Sequence, residues 1–422
     1  MNEKAKKKNI NDVIFNFIET KMGPVFSRIG EVKFLQAIMN GMGGVIGVLT
    51  IGSLFIMLMG LATNYIPALL PLAGPLYNGY QLTMGLAGIF IALSVSGAFA
   101  KQYGLDVLSS AILGLSAYIL LTSTVTDGAI AISNLGAAGI FAALLSSFVT
   151  VSIIRFCKEK NITINMPEGV PPAIAQTFAS LIPGLISLVL MWLIKSVLNF
   201  DIVSAIQTLL TPLFKAVDNI VTFTLRFFLG NAIWSVGLHA DMIINSITSP
   251  FLSQWIIENA DAFAAGVAAN QLPHIWTGSL ERVVGWTSSV WGLMFWMLRS
   301  KAKNVKAIAV AGLPSAIFTI IEPILFGLPI VFNPYLLIPF ILSSTLAAFF
   351  SYGVTALGLV SRFYVNLPWI TPPPILAFLG TGGDWKMVIV VVINFLIGVL
   401  VYAPFFKAFE KSELDKLEAA AK

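Results

Sequence analysis

No charged residue occurs between Phe34 and Ala100, where the sequence reads FLQAIMNGMGGVIGVLTIGSLFIMLMGLATNYIPALLPLAGPLYNGYQLTMGLAGIFIALSVSGAFA. A helix of about 20 apolar residues is long enough to cross the hydrocarbon core of a membrane. The stretch therefore holds two predicted spans, near residues 42–63 and 80–99. The connection between them contains three prolines and cannot be a continuous helix. This pattern predicts a helical membrane protein.

Composition places the whole chain in the same class. Of its 422 residues, 57% are hydrophobic and 11% are charged, whereas a soluble globular protein carries about 25% charged residues. The deficit excludes an ordinary cytosolic enzyme and a disordered or nucleic-acid-binding chain. The single cysteine, Cys157, excludes a disulfide framework and a cysteine-ligated metal site. The sequence has no phosphate-binding loop and no metal-ligand cluster, so we predict neither a cofactor nor a metal.

The net charge of +5 arises from cations that are gathered in short segments. Eighteen of the 25 Lys and Arg residues lie in residues 1–33, 155–168, 299–306 and 407–422. Cytoplasmic loops of membrane proteins retain Lys and Arg, so these four segments, and with them both termini, are predicted to be cytoplasmic. Acidic residues interrupt the N-terminal segment, and we therefore predict no cleavable signal peptide.

The predicted fold is all-α, with about ten transmembrane helices plus re-entrant hairpins and interfacial amphipathic helices. Beyond the first two, spans are predicted near residues 107–125, 136–154, 173–198, 219–238, 283–298, 307–321, 335–353 and 387–405. The predicted parts are a cytoplasmic amphipathic segment (1–33), a first membrane half (34–198), an amphipathic linker helix (199–218), a second membrane half (219–406) and a cytoplasmic tail (407–422).

The second half is less regular than the first. Long polar or Pro-rich stretches separate its spans at residues 241–282 and 351–386. Segments 155–168 and 299–306 are both predicted to be cytoplasmic, so the chain must cross the membrane an even number of times between them. Only three spans are predicted there, which is an odd number. Either residues 241–258 cross in part, or one span is a re-entrant hairpin. Irregular backbone at membrane depth persists only where it lines a protein-enclosed cavity, so the second half is predicted to carry the site.

Both histidines of the chain lie in this half. His239 ends the apolar run NAIWSVGLHAD, beside Asp241, where a polar residue could simply sit at the membrane interface. Ionisable residues within membranes usually mark a pathway or a site, and histidine titrates near neutral pH, so we favour a functional role. His274 lies in QLPHIWTGS, a predicted loop, where functional and structural roles both remain open.

Glu322 is the only charged residue between Lys306 and Arg362 and lies in IEPILFGLPIVFNP. The segment that follows it, up to Asn333, is too short to span a membrane, and prolines bracket it. This composition favours a re-entrant hairpin, whose half-helix ends present free backbone groups to a polar ligand. The alternative is a structural ion pair of Glu322 with Arg282 or Arg362, because an unpaired charge in a membrane is costly.

Trp369 lies beside a rigid Pro-rich turn in NLPWITPPP. An indole face commonly stacks on a sugar ring, but tryptophan also anchors spans at the membrane interface. Trp385, next to Lys386 at the start of the last predicted span, is interpreted as such an anchor.

Four stretches of the sequence together resemble one known family. They are MPEGVPPAIAQTFASLIPG (Met166–Gly184), GLHAD (Gly237–Asp241), EPILFGLPIVFNP (Glu322–Pro334) and PWITPPP (Pro368–Pro374). By the order and spacing of these stretches, the chain resembles enzyme IIC of the lactose/cellobiose/diacetylchitobiose group. Enzyme IIC is the membrane subunit of a phosphoenolpyruvate-dependent phosphotransferase system.

The resemblance implies a homodimer in a bacterial plasma membrane, with a dimerisation half followed by a sugar-binding half that contains two re-entrant hairpins. It implies import of a β-linked disaccharide of the cellobiose, diacetylchitobiose or lactose type. Cytosolic enzyme IIB, phosphorylated on its own cysteine, would transfer the phosphate to the sugar 6-hydroxyl. The chain contains no IIB or IIA domain, so it would take part in phosphoryl transfer only together with IIB, and indirectly with IIA.

The resemblance also assigns roles to individual residues. A histidine and a glutamate face the sugar hydroxyl in this family, and they carry over to His239 as the general base and Glu322 as the acceptor that fixes the sugar. The candidate sugar-binding residues are Trp369, as the stacking face, Asn333, Arg282 and His274.

A function of another class is also compatible with the charges in the second half. Glu322 and Asp241 would then carry protons in a proton-coupled secondary sugar transporter. The pairing of EPILFGLPIVFNP with GLHAD favours the phosphotransferase system. A membrane scaffold without transport would give no reason for Glu322 to lie in the bilayer.

Overall fold

The computed structural model describes residue 28 and residues 31–164, 166–167, 169–235, 240–328, 330 and 333–420. The predicted N-terminal amphipathic segment lies almost entirely outside these residues, and His239 lies outside them as well. Within the described part the chain is helical, apart from one short hairpin and irregular connections. This confirms the predicted all-α class.

The described residues of the first half form seven α-helices and one hairpin. They are α1 (Lys33–Asn64), α2 (Ala73–Gln81), α3 (Ala87–Gln102), α4 (Val107–Thr122), β1 (Val125–Thr126), β2 (Ala129–Ile130), α5 (Ile140–Glu159), α6 (Pro172–Ala179) and α7 (Leu181–Trp192). The strands pair antiparallel, with Val125 opposite Ile130. A 3₁₀ turn, Pro67–Leu72, separates α1 from α2, so the prolines interrupt the helix as predicted.

Small residues allow α1 and α3 to pack closely. A Cβ atom on Gly41 of α1 would lie 2.5 Å from Cγ2 of Val95 on α3. The hydroxyl of Ser94 donates a hydrogen bond to the Gly41 carbonyl at 2.8 Å. Helices in lipid associate through such close packing, because the surrounding acyl chains are as apolar as the side chains. Close backbone contact therefore fixes α1 in the first half.

The predicted linker helix is present as α8 (Ile202–Val217). Asp201 caps its N-terminus by accepting hydrogen bonds from the Ser204 amide at 3.1 Å and the Ser204 hydroxyl at 2.8 Å. A residue with a side-chain oxygen at this position satisfies amide groups that have no partner inside the helix. The helix begins within the predicted range 199–218 for this reason.

The described residues of the second half form nine α-helices. They are α9 (Ile220–Trp234), α10 (Ala240–Ala264), α11 (Gly278–Trp286), α12 (Gly292–Met297), α13 (Lys303–Ile317), α14 (Glu322–Gly327), α15 (Pro334–Ala356), α16 (Pro373–Gly380) and α17 (Trp385–Ala420). A π-helical turn, Thr287–Trp291, joins α11 to α12. Pro323 stands in the first turn of α14, a short helix that ends at Gly327.

Helix α10 replaces the polar connection that the sequence predicts after residue 241. Its 25 residues correspond to a length of about 37 Å at 1.5 Å per residue. Its polar side chains Gln254 and Asn259 are buried against the rest of the protein, so the helix needs no long apolar run. That residues 241–258 cross the membrane in part stays a prediction.

Helix α17 continues to Ala420, within the segment that the sequence predicts as a separate cytoplasmic tail, residues 407–422. Tyr402, Phe406 and Phe409 are buried at helical spacing, so one face remains apolar after the charge-free run has ended. Glu410 accepts hydrogen bonds from the Ser300 hydroxyl at 2.7 Å and the Lys301 amide at 2.6 Å. The helix thus continues across residue 407 on this packed face. That residues 407–422 form a cytoplasmic tail stays a prediction.

A nonhelical segment, residues 361–368, runs through the protein interior between α15 and α16. Phe363, Tyr364 and Val365 within it are fully buried. Alternate carbonyls accept hydrogen bonds from side chains: Phe363 from Asn259 (2.8 Å), Val365 from Ser279 (3.0 Å), Leu367 from Arg282 (2.6 Å) and Trp369 from Thr319 (2.8 Å). Irregular backbone enclosed by protein in the second half is the feature that the sequence predicts there.

Six helical stretches of the described residues are long and apolar enough to cross a membrane. They are Lys33–Thr63, Pro67–Gln102, Ala137–Glu159, Ile174–Val197, Tyr335–Ala356 and Trp385–Ala419. Val107–Thr122, Ile202–Phe214 and Ile220–Trp234 are shorter apolar helices. A total of ten spans stays a prediction.

Candidate functional site

A cavity of about 500 Å³ lies between α1 of the first half and the helices of the second half. This volume is within the range of small-ligand sites, about 300–1,000 Å³. Its wall includes Met39, Met42, Ile46 and Leu49 from α1, and Arg226, Asn231, Asp241, Asn245, Ser249, Glu281, Arg282, Trp286, Thr319, Asn366 and Trp369 from the second half. One wall is therefore apolar and the other is rich in hydrogen-bonding groups.

Arg226 joins two carboxylates in the polar wall. Its Nη2 lies 3.0 Å from Oδ1 of Asp241, and its Nε lies 3.0 Å from Oε1 of Glu281. Indole N–H groups hold the same carboxylates, from Trp234 to Asp241 at 3.3 Å and from Trp276 to Glu281 at 2.7 Å. Each carboxylate is therefore held both by Arg226 and by an indole N–H group.

Arg282 approaches the cavity without a carboxylate partner among the described residues. Its guanidinium donates to the Leu367 carbonyl at 2.6 Å, to Oδ1 of Asn366 at 2.6 Å and to the Gly278 carbonyl at 3.0 Å. Arg282 thus fixes the end of the nonhelical segment against α11. Within the same described part, Glu322 forms no ion pair with Arg282 or Arg362, so the structural ion pair considered from sequence is not formed there.

Glu322 begins α14 and is half-buried. It is not among the cavity-lining residues, but Thr319, three positions earlier, lines the cavity. Thr319 has φ of 64°, a left-handed conformation that is strained for a β-branched residue. Such strain concentrates at ligand clamps and active sites. The Thr319 hydroxyl also donates to the Trp369 carbonyl at 2.8 Å, so this turn connects the chain before Glu322 to Trp369.

Trp369 lines the cavity and leaves 57% of its surface exposed. The turn that follows is closed by a hydrogen bond from the Thr371 amide to the Pro368 carbonyl at 3.0 Å. The backbone at Trp369 is thus held on both sides, while much of the side chain remains available for contact. A rigid, exposed aromatic group of this kind suits stacking on a ligand.

His239 lies outside the described residues, but the chain on either side of it is placed. Asp241, two residues later in the sequence, lines the cavity. The indole of Trp234, five residues before His239, donates to Asp241 at 3.3 Å. The described residues Trp234 and Asp241, on either side of His239 in the sequence, therefore lie at or beside the cavity wall.

Asn333 and His274 are not among the cavity-lining residues. Oδ1 of Asn333 accepts a hydrogen bond from the Tyr335 amide at 3.0 Å and caps α15. His274 stacks on Trp255 with ring centroids 5.4 Å apart. Its Nδ1 lies 3.6 Å from Oδ2 of Asp218, and its Nε2 contacts Glu258. Asn333 therefore caps a helix, and His274 belongs to a separate polar cluster.

Sequence reasoning missed Arg226, Glu281, Ser249 and Thr319. A signal existed for Arg226, which is the only cation in the apolar run 219–238 and therefore a candidate by the rule that intramembrane charges are functional. No sequence signal distinguishes Ser249, whose buried hydroxyl lines the cavity and has no hydrogen-bond partner among the described residues. An unpartnered buried hydroxyl indicates a polar ligand or water at this wall.

The cavity suits an uncharged ligand with many hydroxyl groups. Its charged lining residues are Arg226, Arg282, Asp241 and Glu281, whose formal charges cancel. Carboxylates accept hydrogen bonds from hydroxyl groups, while guanidinium and amide groups donate them. In the described part of the chain, no group of three or more His, Cys, Asp and Glu side chains is arranged to hold a metal ion.

Comparison with known proteins agrees with the resemblance seen in the sequence. The family model described as "Phosphotransferase system, EIIC" matches residues 39–344. The lactose-specific EIICB component of Staphylococcus aureus is 30% identical over 94% of this chain and 72% of its own length. The cellobiose-specific EIIC component of Geobacillus stearothermophilus is 29% identical over 97% of both chains. The crystal structure of ChbC, the IIC component of the N,N'-diacetylchitobiose-specific system, aligns with a TM-score of 0.87 at 27% identity, over 95% of this chain and 99% of that one.

The His274 cluster predicts a pH-dependent stability. Burial alone would lower the pKa of the imidazole, but its hydrogen bonds and charge interactions with Asp218 and Glu258 outweigh burial and raise it. A raised pKa stabilises the folded protein fully below the ordinary value of about 6.5, and this contribution is lost as the pH rises through the folded-state pKa. The wild type should therefore have its full stability advantage over His274→Gln below about pH 6.5 and lose it progressively as the pH rises from there through the folded-state pKa.

Thermal unfolding of both purified proteins between about pH 5.5 and 9 tests this expectation. Sugar binding is measured in parallel at each pH. A difference in melting temperature that does not change with pH would mean that the charged form of His274 contributes nothing to stability.

Proposed function

The chain belongs to the EIIC family of the phosphotransferase system, and we propose that its cavity holds a β-linked disaccharide while EIIB phosphorylates the sugar 6-hydroxyl. Family membership makes the chain a multi-pass membrane protein that acts on a sugar together with an EIIB partner. The observation that carries the proposal is the neutral, hydrogen-bonding wall of the cavity, with Trp369 exposed beside it.

The substrate class rests on the relatives. Cellobiose, lactose and N,N'-diacetylchitobiose, the sugars in the names of the three similar proteins, are all β-linked disaccharides. These sugars share an equatorial linkage and differ in stereochemistry or N-acetylation. We propose this class as the substrate, and a binding panel of the three sugars on purified protein identifies the preferred member.

The polar wall offers a distinct partner to each part of such a sugar. Asp241 and Glu281 accept hydrogen bonds from hydroxyl groups, and Arg226 fixes the position of both carboxylates. Arg282 and Asn366 also line the cavity, and their guanidinium and amide groups are donors for the sugar oxygens. Trp369 supplies a face for stacking. The carboxylates and the guanidinium groups are preorganised by their own contacts, which reduces the cost of ordering them around a ligand.

Phosphoryl transfer needs a base, because a sugar hydroxyl is a poor nucleophile while it retains its proton. In the proposed step, O6 of the sugar attacks the phosphorus of the EIIB phosphocysteine, the S–P bond breaks, and the O6 proton passes to His239. Glu322 lies outside the cavity lining, so the proposed step requires the turn after Thr319 to bring its carboxylate to the sugar, where it accepts a hydrogen bond and holds O6 in line. A positioned base typically contributes about 10²–10⁴-fold in rate.

The remaining proposals concern assembly and orientation. The clusters of Lys and Arg favour cytoplasmic termini and a cytoplasmic loop at residues 155–168. With this orientation, EIIB would approach the protein from the cytoplasm. We also propose that the first half forms a homodimer, in keeping with the family resemblance.

Transport in sealed vesicles distinguishes this function from proton-coupled transport. With phosphorylated EIIB inside, labelled sugar should accumulate as a sugar phosphate, and an uncoupler that collapses the proton gradient should not stop it. Vesicles with unphosphorylated EIIB are the control. Accumulation of unmodified sugar that the uncoupler abolishes would overturn the proposal and favour the secondary transporter.

His239→Ala should lower the rate of sugar phosphorylation by about 10²–10⁴-fold, because the base that shares the O6 proton is removed. The dissociation constant of the sugar should change much less, as expected when an interaction made mainly in the transition state is lost. Single-turnover phosphorylation and equilibrium binding on the same preparation separate the two effects. Unchanged phosphorylation would remove His239 from the mechanism.

Glu322→Gln should weaken sugar binding by about tenfold or more, because a hydrogen bond to a charged group is replaced by a neutral one. Glu418→Gln, at an exposed position of α17, is the matched control. Isothermal titration of purified protein measures both dissociation constants. If Glu322→Gln binds sugar as tightly as the control, Glu322 does not contact the sugar.

A further inference from the structure

A second cavity, of about 540 Å³, lies where α1 begins and where α3 and α5 end. It is separate from the cavity described above, with which it shares no lining residue. Its wall includes Lys33, Tyr103, Arg155, Lys158 and Glu159. Three cations and one carboxylate therefore face a single space at the ends of three apolar helices.

The cations converge around one aromatic ring. Nζ of Lys33 lies 4.8 Å from the centroid of the Tyr103 ring, and Cζ of Arg155 lies 4.2 Å from it. The positive charges of Lys33 and Arg155 repel each other at this separation, and an anion bound between them would offset the repulsion. Arg155 is paired with Glu159 at 2.7 Å. Among the residues that the structure describes, Lys33 and Lys158 have no carboxylate within 4 Å.

Helix capping explains only part of this arrangement. Lys33 donates to the Gln102 carbonyl at 3.3 Å, and Lys158 donates to the Gly104 carbonyl at 2.9 Å. Cations near helix C-termini commonly make such contacts. An ammonium group has three donors, and each of these contacts uses one. Both lysines therefore retain donors that a further acceptor can occupy.

The surface beside the cavity is apolar. Phe156, adjacent to Arg155 in α5, is 54% exposed, and Val32, adjacent to Lys33, is 45% exposed. Ile162 is exposed just beyond the end of the same helix. Cations next to exposed apolar side chains at the ends of membrane-spanning helices match a molecule with an anionic head and an apolar tail, whereas a soluble anion would use only the cations.

We propose that this cavity binds the phosphate-bearing headgroup of an anionic phospholipid. Lys33, Lys158 and Arg155 donate to the phosphate oxygens, and the acyl chains lie along the exposed apolar side chains beside them. The basic segment at residues 155–168 is predicted to face the cytoplasm. Anionic lipids are concentrated in the cytoplasmic leaflet, where basic pockets between transmembrane helices recognise them. The site is independent of the proposed sugar cavity.

Native mass spectrometry of the full chain in detergent tests the proposal. The probes are phosphatidylglycerol and phosphatidylcholine with the same acyl chains. The wild type should bind phosphatidylglycerol at least tenfold more tightly than phosphatidylcholine. A variant with Lys33→Gln, Arg155→Gln and Lys158→Gln should lose this preference. The matched control carries Lys301→Gln, Lys303→Gln and Lys306→Gln, which remove the same charge from another basic segment, and it should keep the preference.

Folding is checked by sugar binding, which every variant should retain. If the glutamine variant fails to fold, Lys33→Arg with Lys158→Arg keeps the charge and should keep the lipid preference, whereas Lys158→Glu alone should abolish it. Equal binding of the two lipids by the wild type, or equal loss in both glutamine variants, would overturn the proposal.

Two further measurements distinguish an anionic lipid from free phosphate and from EIIB as the ligand of this cavity. Millimolar inorganic phosphate should not displace phosphatidylglycerol, because it lacks the apolar contacts, and efficient displacement would identify a site for free phosphate. Purified EIIB should bind the glutamine variant as it binds the wild type. Loss of EIIB binding with retained lipid preference would overturn the lipid assignment and identify the cavity as part of the EIIB interface.

Discussion

Every backbone N–H and C=O group that leaves a helix inside a membrane protein needs another partner, and the nonhelical segment, residues 361–368, is where this constraint acts most strongly. Side chains from α10 and α11 donate hydrogen bonds to its carbonyls, and its amides donate to groups of other elements. The Asn366 amide donates to the Ser53 hydroxyl of α1 at 3.1 Å, and the Tyr364 amide donates to the Gly380 carbonyl at 3.2 Å. A buried group left without a partner would cost about 1–3 kcal/mol. Satisfying the segment therefore ties both halves of the protein together.

The same constraint shapes the cavity. Arg282 donates to the Leu367 carbonyl and to Asn366, so the guanidinium that completes the nonhelical segment also forms the cavity wall. Arg226 plays the complementary part, since it pairs with two carboxylates that would be costly to bury alone. Removing Arg226 or one of its carboxylates would leave a buried charge without its partner. The polar wall is consequently a rigid unit, and its position relative to α1 depends on the segment that Arg282 anchors.

Elements marked by a pattern of neighbouring residues along the chain were predictable from the sequence. The charge-free run predicted α1, the prolines predicted its interruption, and the apolar spacing after Asp201 predicted α8. Helix α10 gave no such signal, because Gln254 and Asn259 look like loop residues until their partners in space are known. The same limit applies to the site. Arg282 and Trp369 line the cavity, whereas Asn333 caps a helix and His274 belongs to a separate polar cluster, and sequence position alone does not distinguish these cases.

The contrast between the two cavity walls follows the chemistry of a sugar ring, which has hydroxyl groups at its edge and C–H groups on its faces. Met39, Met42 and Ile46 offer apolar, adaptable contact to a face, and methionine in particular fits varied shapes. The charges of the polar wall cancel, so the cavity favours a neutral sugar. Phosphorylation would add about −1.5 to −2 of charge that these walls do not neutralise. In the proposed reaction, the step that makes the product would therefore also weaken its binding and so favour its release.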